Sequence, residues 1–311
     1  MSRKTERDNH GRMKVTPQSA ILPEAGPFSL VCVLNLVGNK EKVIRQCQGL
    51  PEIAKKLNHQ HVSADIHLSM GFGKAFWQQF ELGCPDDFEE FIPLGSGDVT
   101  APATGGDILL HIHSNRHDLN FHLLSSFLQP ISSEVELLDE THGFRYLDAR
   151  DLTGFIDGTE NPKMQEARRQ VAIIPDGEFA GGSFVMVQRF VHQLPAWHAV
   201  NIAQQEKIIG RTKADSVELD DVPENSHVGR VDLKENGKGL KIVRHSLPYG
   251  AVSGEHGLLF IAYCAEQRNF REMLSSMYGE KDSQTDKLLD FTQAVTGGYF
   301  FVPSEAMLKQ L

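Results

Sequence analysis

Apolar residues recur along this chain at two spacings. "FSLVCVLNLV" (28–37) is a continuous apolar run of strand length, rich in Val and Leu. "KEKVIRQCQGLPEIAKKL" (40–57) sets Val43, Ile44, Cys47, Leu50, Ile53, Ala54 and Leu57 at helical intervals, with Pro51 expected to end one helix and start another. "ADIHLSMGFG" (64–73) returns to strand, "ATGGDILLHIHS" (103–114) reads as a turn and a strand, and "DLNFHLLSSFLQP" (118–130) as an amphipathic helix stopped by Pro130. The same order follows in the second half: a strand over 181–194, a helix over 196–208, a strand over 257–265 and a helix over 268–279 closed by Gly279.

Two passages can be laid side by side. "LLHIHSNRHDLNFHLLSSF" (109–127) and "LLFIAYCAEQRNFREMLSSM" (258–277) share an apolar strand, an Asn-Phe pair and a helix containing Leu-Ser-Ser. The offset is 149 at Asn120/Asn269 and 150 at Leu124/Leu274, close to half the chain. Chance similarity between two amphipathic β-α units is the alternative; duplication of a β-α-β unit explains more of the pattern. It predicts an α+β fold of duplicated ferredoxin-like halves, each an antiparallel sheet with helices packed on the outside. The expected division is a disordered tail over 1–20, an N-terminal half over 21–150 and a C-terminal half over 151–311, with the boundary near 146–155.

Composition narrows the function classes. The chain has 311 residues, 40% hydrophobic and 23% charged, which is ordinary for a soluble globular protein. A net charge of -10 argues against general affinity for nucleic acid or acidic membranes. No run approaches the roughly 20 apolar residues of a membrane span. The polar N-terminus, with no apolar run after it, does not read as a secretory signal. Cys32, Cys47, Cys84 and Cys264 are scattered without a CxxC and read as buried, reduced thiols of a cytoplasmic protein. "SEAMLKQL" at the C-terminus has no long extension, so packaging into a shell through a C-terminal tag is not expected.

Four stretches carry candidate chemistry. "GFIDGTENP" (154–162) has more than a turn requires: an apolar Phe155-Ile156 lead-in, Asp-Gly, Glu160 and Asn-Pro. Asp157 reads either as an Asx-turn cap or as a carboxylate presented to a cleft between the halves. In "PENSHVGRVDL" (223–233), His227 stands between a polar turn and a strand-like alternation of Val228, Val231 and Leu233; it is either a structural histidine or an axial metal ligand backed by an acid. In "GLKIVRHSLPYG" (239–250), Arg244 and Ser246 share a face at i, i+2 on a strand, a guanidinium with a hydroxyl beside it. In "HIHSNRH" (111–117), His111 and His113 share a strand face with His117 nearby, but no third metal ligand is fixed by spacing. Arg211 in "GRTK" (210–213) is a weak anion-site signal.

Taken in order, "GFIDGTENP", "SHVGRVDL", "KIVRHSLPYG" and "VTGGYFFVP" (295–303) resemble the dye-decolorizing peroxidases, in their compact bacterial class without an export signal. The resemblance runs from about Ile21 to Leu311. It implies haem b (iron protoporphyrin IX) held mainly in the C-terminal half, with hydrogen peroxide and a bulky aromatic or dye-like reductant as substrates. By motif, His227 resembles the proximal iron ligand, Asp157 the distal carboxylate, Arg244 the distal arginine and Ser246 its neighbour. Arg211 resembles a propionate partner and Phe260 a distal-pocket residue. Asp286 is the acid chosen to orient His227, and Glu160 is placed at the cofactor edge. Gly154 and Gly158 are expected to let backbone approach the ring. A distal carboxylate suggests an acidic optimum. The family also implies a homo-oligomer, a dimer or larger, in the cytoplasm. Three other readings stand beside this one: a haem-handling protein that releases or stores iron, a haem-free metalloenzyme using His111 and His113, and a non-catalytic module. Trp77, Trp197, Tyr146 and Tyr278 are taken as surface aromatics, with long-range electron transfer as an alternative to a structural role.

Overall fold

The computed structural model describes residues 15–311. In the first strand, β1 (Phe28–Leu36), both faces are buried and the alternation sorts them. Val31 and Val33 join one cluster with Leu109, Val185 and Ile261; Leu30, Cys32 and Leu34 join another with the helix residues Val43, Cys47 and Leu123. The first half continues through α1 (Lys40–Gln60), β2 (His67–Phe72), β3 (Ile108–Ser114), α2 (His117–Leu128) and β4 (Val135–Phe144). After α3 (Gln165–Ala172) come β5 (Ser183–His192), α4 (Ile202–Ile209), α5 (His227–Val231), β6 (Val243–Arg244), β7 (Leu247–Gly250), β8 (His256–Cys264), α6 (Arg268–Met277), β9 (Thr292–Ala294) and β10 (Gly298–Val302).

The first half pairs its strands in the order β4-β1-β3-β2, and the second in the order β7-β8-β5-β10, all antiparallel. In each half the fourth strand lies beside the first, the first beside the third and the third beside the second, the ferredoxin-like arrangement repeated. Tyr249↔Gly143 joins β7 to β4, and Phe301↔Phe72 joins β10 to β2, so the two sheets close into a ring. The duplicated passages are β3–α2 and β8–α6, which occupy equivalent places in the two halves.

One end of the ring's interior is polar. His111 and His113 do share a face, but they are fully buried, not gathered for a metal. His111 bonds Tyr263 Oη (2.8 Å) and Ser29 Oγ (3.1 Å); His113 Nε2 bonds the Ala20 carbonyl (3.2 Å). Among the described residues no cluster of three or more His, Cys, Asp or Glu has metal-site geometry, and His117 is exposed. His245 stacks against His113 with ring centroids 5.3 Å apart. Burial pushes His111 down to about 3, and burial together with neighbouring imidazoles pushes His113 and His245 well below the usual value. Unfolded, these rings titrate near ~6.5. As pH falls from there, the unfolded chain takes up protons that the folded chain refuses, so stability is complete above that value and declines below it. The expected slope is at most about 1.4 kcal/mol per pH unit for each histidine. Urea midpoints at several values between neutral and strongly acidic pH measure this, and His111→Asn with a flatter acid limb is the expected companion result.

Several expectations are corrected. Residues 1–14 of the expected tail lie outside the described residues, but the rest of it is built into the fold: Gln18 is buried and bonds the Met70 and Pro303 carbonyls, and Ala20 is fully buried. Pro51 does not divide α1. One missing N–H is tolerated because buried Cys47 and Leu50 before it and Ala54 and Leu57 after it anchor one continuous face. The helix expected over 196–208 is two, Leu194–Ala199 and α4, because Asn201 turns its side chain to cap Gln204 N. Trp77, Trp197 and Tyr278 are buried rather than surface aromatics, and Tyr146 is half-buried. The cysteines are unpaired thiols; Cys32, Cys47 and Cys264 are buried and Cys84 is half-buried. No helix among the described residues is long and apolar enough to cross a membrane.

Candidate active site

In the N-terminal half, helices pack directly onto the outer face of the sheet. In the C-terminal half a cavity separates the two layers. Its sheet side carries Met186, Gln188 and Phe190 of β5, Arg244 of β6 and Leu258 and Phe260 of β8; its helix side carries His227 and Val228 of α5 and Met273 and Met277 of α6. Asp157, Ile156 and Phe155 reach it from the turn between the halves.

His227 is the first residue of a helix, not of the strand-like run its alternation suggested. Ser226 caps it by accepting a hydrogen bond from Gly229 N (3.1 Å), which turns the chain at that point. His227 Nδ1 lies 2.6 Å from Asp286 Oδ2. Asp286 is fully buried, and its other oxygen accepts Leu288 N (2.9 Å), so the carboxylate is fixed from two directions. With a carboxylate as the acceptor, Nδ1 is the donor in this contact, and Nε2 has no hydrogen-bond partner among the described residues.

The turn "GFIDGTENP" is held at both ends. At one end Arg150 donates to the Gly154, Lys213 and Ala214 carbonyls. Asp151 accepts from Thr153 and contacts His192 Nε2 (3.0 Å), whose Nδ1 bonds Thr292 Oγ1 (2.7 Å). Burial alone would raise the Asp151 carboxyl; His192 and Thr153 outweigh it and hold it below the usual range. At the other end Asn161 bonds the backbone of Arg244. Gly154 and Gly158 have φ of 88° and 80°, and a Cβ at Gly154 would meet Lys213 Cε at 2.7 Å. Both glycines serve the turn's left-handed backbone, and Gly158 also borders a second cavity beside the first.

Asp157 Oδ1 accepts Gly158 N (2.6 Å) and lies 3.6 Å from Arg244 Nη2. Ser246 follows between β6 and β7, its Oγ accepting Ile261 N (3.3 Å). It lines the second cavity together with Asp157, Asn161 and Arg244, and those three residues also line the first.

At the mouth, Arg211 pairs with Glu160 (2.6 Å) and Glu218 (3.1 Å), and Lys241 lies 3.7 Å from both Glu160 and Asp232. Both glutamates are about half exposed, while the Arg211 side chain is mostly buried and also donates to the Ser216 carbonyl (2.7 Å). Sequence reasoning missed Lys241, His192 and Gln188 as cavity residues. The β5 alternation Met186, Gln188, Phe190, His192 was the available signal: polar residues on a face whose neighbours are apolar. Gln188 Nε2 is buried with no hydrogen-bond partner among the described residues, a donor left for something in the cavity.

One mostly apolar cavity thus brings together an imidazole paired with a buried carboxylate and a second carboxylate beside a guanidinium. The models of the N-terminal and C-terminal domains of the Dyp-type peroxidases match residues 18–145 and 148–307, and the chain belongs to that family. It is 37% identical to a dye-decolorizing peroxidase of Mycolicibacterium paratuberculosis over 93% of this chain and 84% of that protein. Among solved structures it is similar to a dye-decolorizing protein from V. cholerae, at 58% identity and TM-score 0.93, over 94% of this chain and 99% of that one. It is also similar to a variant of Rhodococcus jostii RHA1 DypB in complex with heme, at 36% identity and TM-score 0.89, over 95% and 98% of the two chains.

Proposed function

We propose that the cavity holds haem b and that the protein reduces hydrogen peroxide while oxidising a bulky aromatic or dye-like donor. The observation that carries this reading is the presence, in one cavity, of the His227–Asp286 pair and the Asp157–Arg244 pair. The fit rests on His227 Nε2, left free for iron, on the apolar side chains of the two layers, and on Arg211 and Lys241 at the mouth for propionates. The haem, when bound, supplies the electrons that cleave the O–O bond and later takes them back one at a time from the donor. Overall, one peroxide and two donor molecules, each giving one electron and one proton, yield two waters.

The chain's own residues handle protons and charge. Asp157 Oδ2 makes no hydrogen bond among the described residues, so it is the oxygen that takes a proton from one end of peroxide and returns it to the other. Arg244, with Nη2 3.6 Å from Asp157, would donate to negative charge developing on the departing oxygen. Asp286 keeps His227 in the ligating tautomer and increases its basicity. Glu160 yields its place on Arg211 to a propionate.

The test is an absorption spectrum. Titrating haem into the apoprotein is expected to give a Soret band that saturates at one equivalent and changes on adding peroxide, with return on adding a reducing dye. A loaded protein whose Soret band ignores peroxide overturns the reading.

A further inference from the structure

We infer that Asn161 is a positioning residue that sets Arg244 against Asp157. Its side chain makes two bonds to one residue: Nδ2 donates to the Arg244 carbonyl (2.8 Å) and Oδ1 accepts Arg244 N (2.9 Å). That is the pattern of one step of an antiparallel ladder, supplied by a side-chain amide. Arg244 is the last residue of β6, opposite Ala262 of β8, and the chain next bonds β8 through His245 N to the Ile261 carbonyl (2.8 Å). Arg244's own N–H and C=O therefore point away from β8, and Asn161 occupies them. Asn161 is also tied to the turn that carries Asp157, through its N–H to the Gly158 carbonyl (3.0 Å). The route from Asp157 to Arg244 is thus short and covalent but for one bidentate contact: Asp157, Gly158, three residues of tight turn, the amide, and the arginine backbone. Asn161 borders both cavities that meet at this pair.

The amide is the one neutral side-chain group of this reach that both donates and accepts in one plane. Asn161→Ala removes both bonds. Asn161→Asp keeps the acceptor for Arg244 N but sets a second carboxylate oxygen against the Arg244 carbonyl. Protonation turns that oxygen back into a donor, so this variant should recover as pH falls.

This inference rests on the distal reading of Arg244 above, and the experiment separates the two. Haem-loaded wild type, Asn161→Ala, Asn161→Asp and Arg244→Leu are titrated with fluoride, followed at the Soret band, and assayed for kcat and KM with peroxide across acidic to neutral pH. Expected for Asn161→Ala is a weaker fluoride affinity and a loss in kcat of up to about 10²-fold, the scale of an ångström-sized misplacement, with haem content retained. Expected for Asn161→Asp is a defect, relative to wild type at each pH, that shrinks toward acid. Unchanged fluoride affinity and kcat in both Asn161 variants, with a lowered melting temperature alone, would make the residue merely structural and overturn the inference. If Arg244→Leu itself leaves fluoride affinity unchanged, it is the distal reading that fails. Should Asn161→Ala not fold, the pH trend of the near-isosteric Asn161→Asp decides, and a trend parallel to wild type overturns the proposal.

Discussion

His227→Ala is expected to abolish tight haem binding while leaving a folded chain. The side chain is about a quarter exposed and begins a helix whose hydrogen bonds do not depend on it. What its loss exposes is Asp286, a fully buried carboxylate that keeps only the bond from Leu288 N. The cost to the apoprotein should be about 1–3 kcal/mol, the penalty for stripping a buried acceptor of its partner. Differential scanning of the apoprotein measures that part. Haem titration measures the other: a Soret band that no longer saturates at one equivalent, or a spectrum of altered ligation. Free imidazole should restore the wild-type band, since the truncation leaves a ring-sized space beside Asp286. Asp286→Asn should be milder, with ligand geometry loosened and affinity lower by about 10–100-fold. Full haem retention with an unchanged spectrum in His227→Ala would remove the ligand assignment.

How far this site was legible in the sequence depends on which physical rule set each residue. The turn was legible because its composition exceeds what a turn needs, and the duplication because β3–α2 and β8–α6 keep the same apolar strand and Asn-Phe step. Asn120 and Asn269 are both buried at matching places, which is why the step survives in both halves. Strand β4 was not seen. Its residues Glu136, Leu137 and Leu138 are exposed, a bulge opposite Val33/Leu34 breaks its period, and no alternation of two is left to read. His227 fell on a helix because Ser226 caps it, a signal present in "NSHVG" but outweighed by the alternating valines. Asp286 was chosen by motif; its distance from His227, 59 residues along the chain, is closed only by the packing of α5 on α6 and the loop after it.

Asp157→Asn is expected to slow the peroxide-dependent change of the Soret band by about 10²–10⁴-fold, the range of a lost general acid–base group. The substitution is nearly isosteric. Its amide oxygen can still accept Gly158 N, so turn and cavity should persist, and haem affinity and melting temperature should stay near wild type. What it removes is the carboxylate oxygen that makes no hydrogen bond among the described residues. Arg244→Leu should cost about 10²–10³-fold, the worth of one donor to a developing negative charge. The two residues lie 3.6 Å apart, and on the proposed mechanism they serve the same O–O bond, so the double variant should lose much less than the product of the single losses. The pH profile carries the sharper distinction. If Asp157 takes the first proton, an acid-side loss of rate that belongs to this residue in wild type should be absent from Asp157→Asn. The measurement must be made by rapid pH-jump, because the buried imidazoles of His111, His113 and His245 weaken the fold as pH falls and would otherwise produce an acid limb in both proteins. An acid limb that survives unaltered in Asp157→Asn, under conditions where both proteins remain folded, assigns the proton transfer to another group and leaves Arg244 as the principal distal residue.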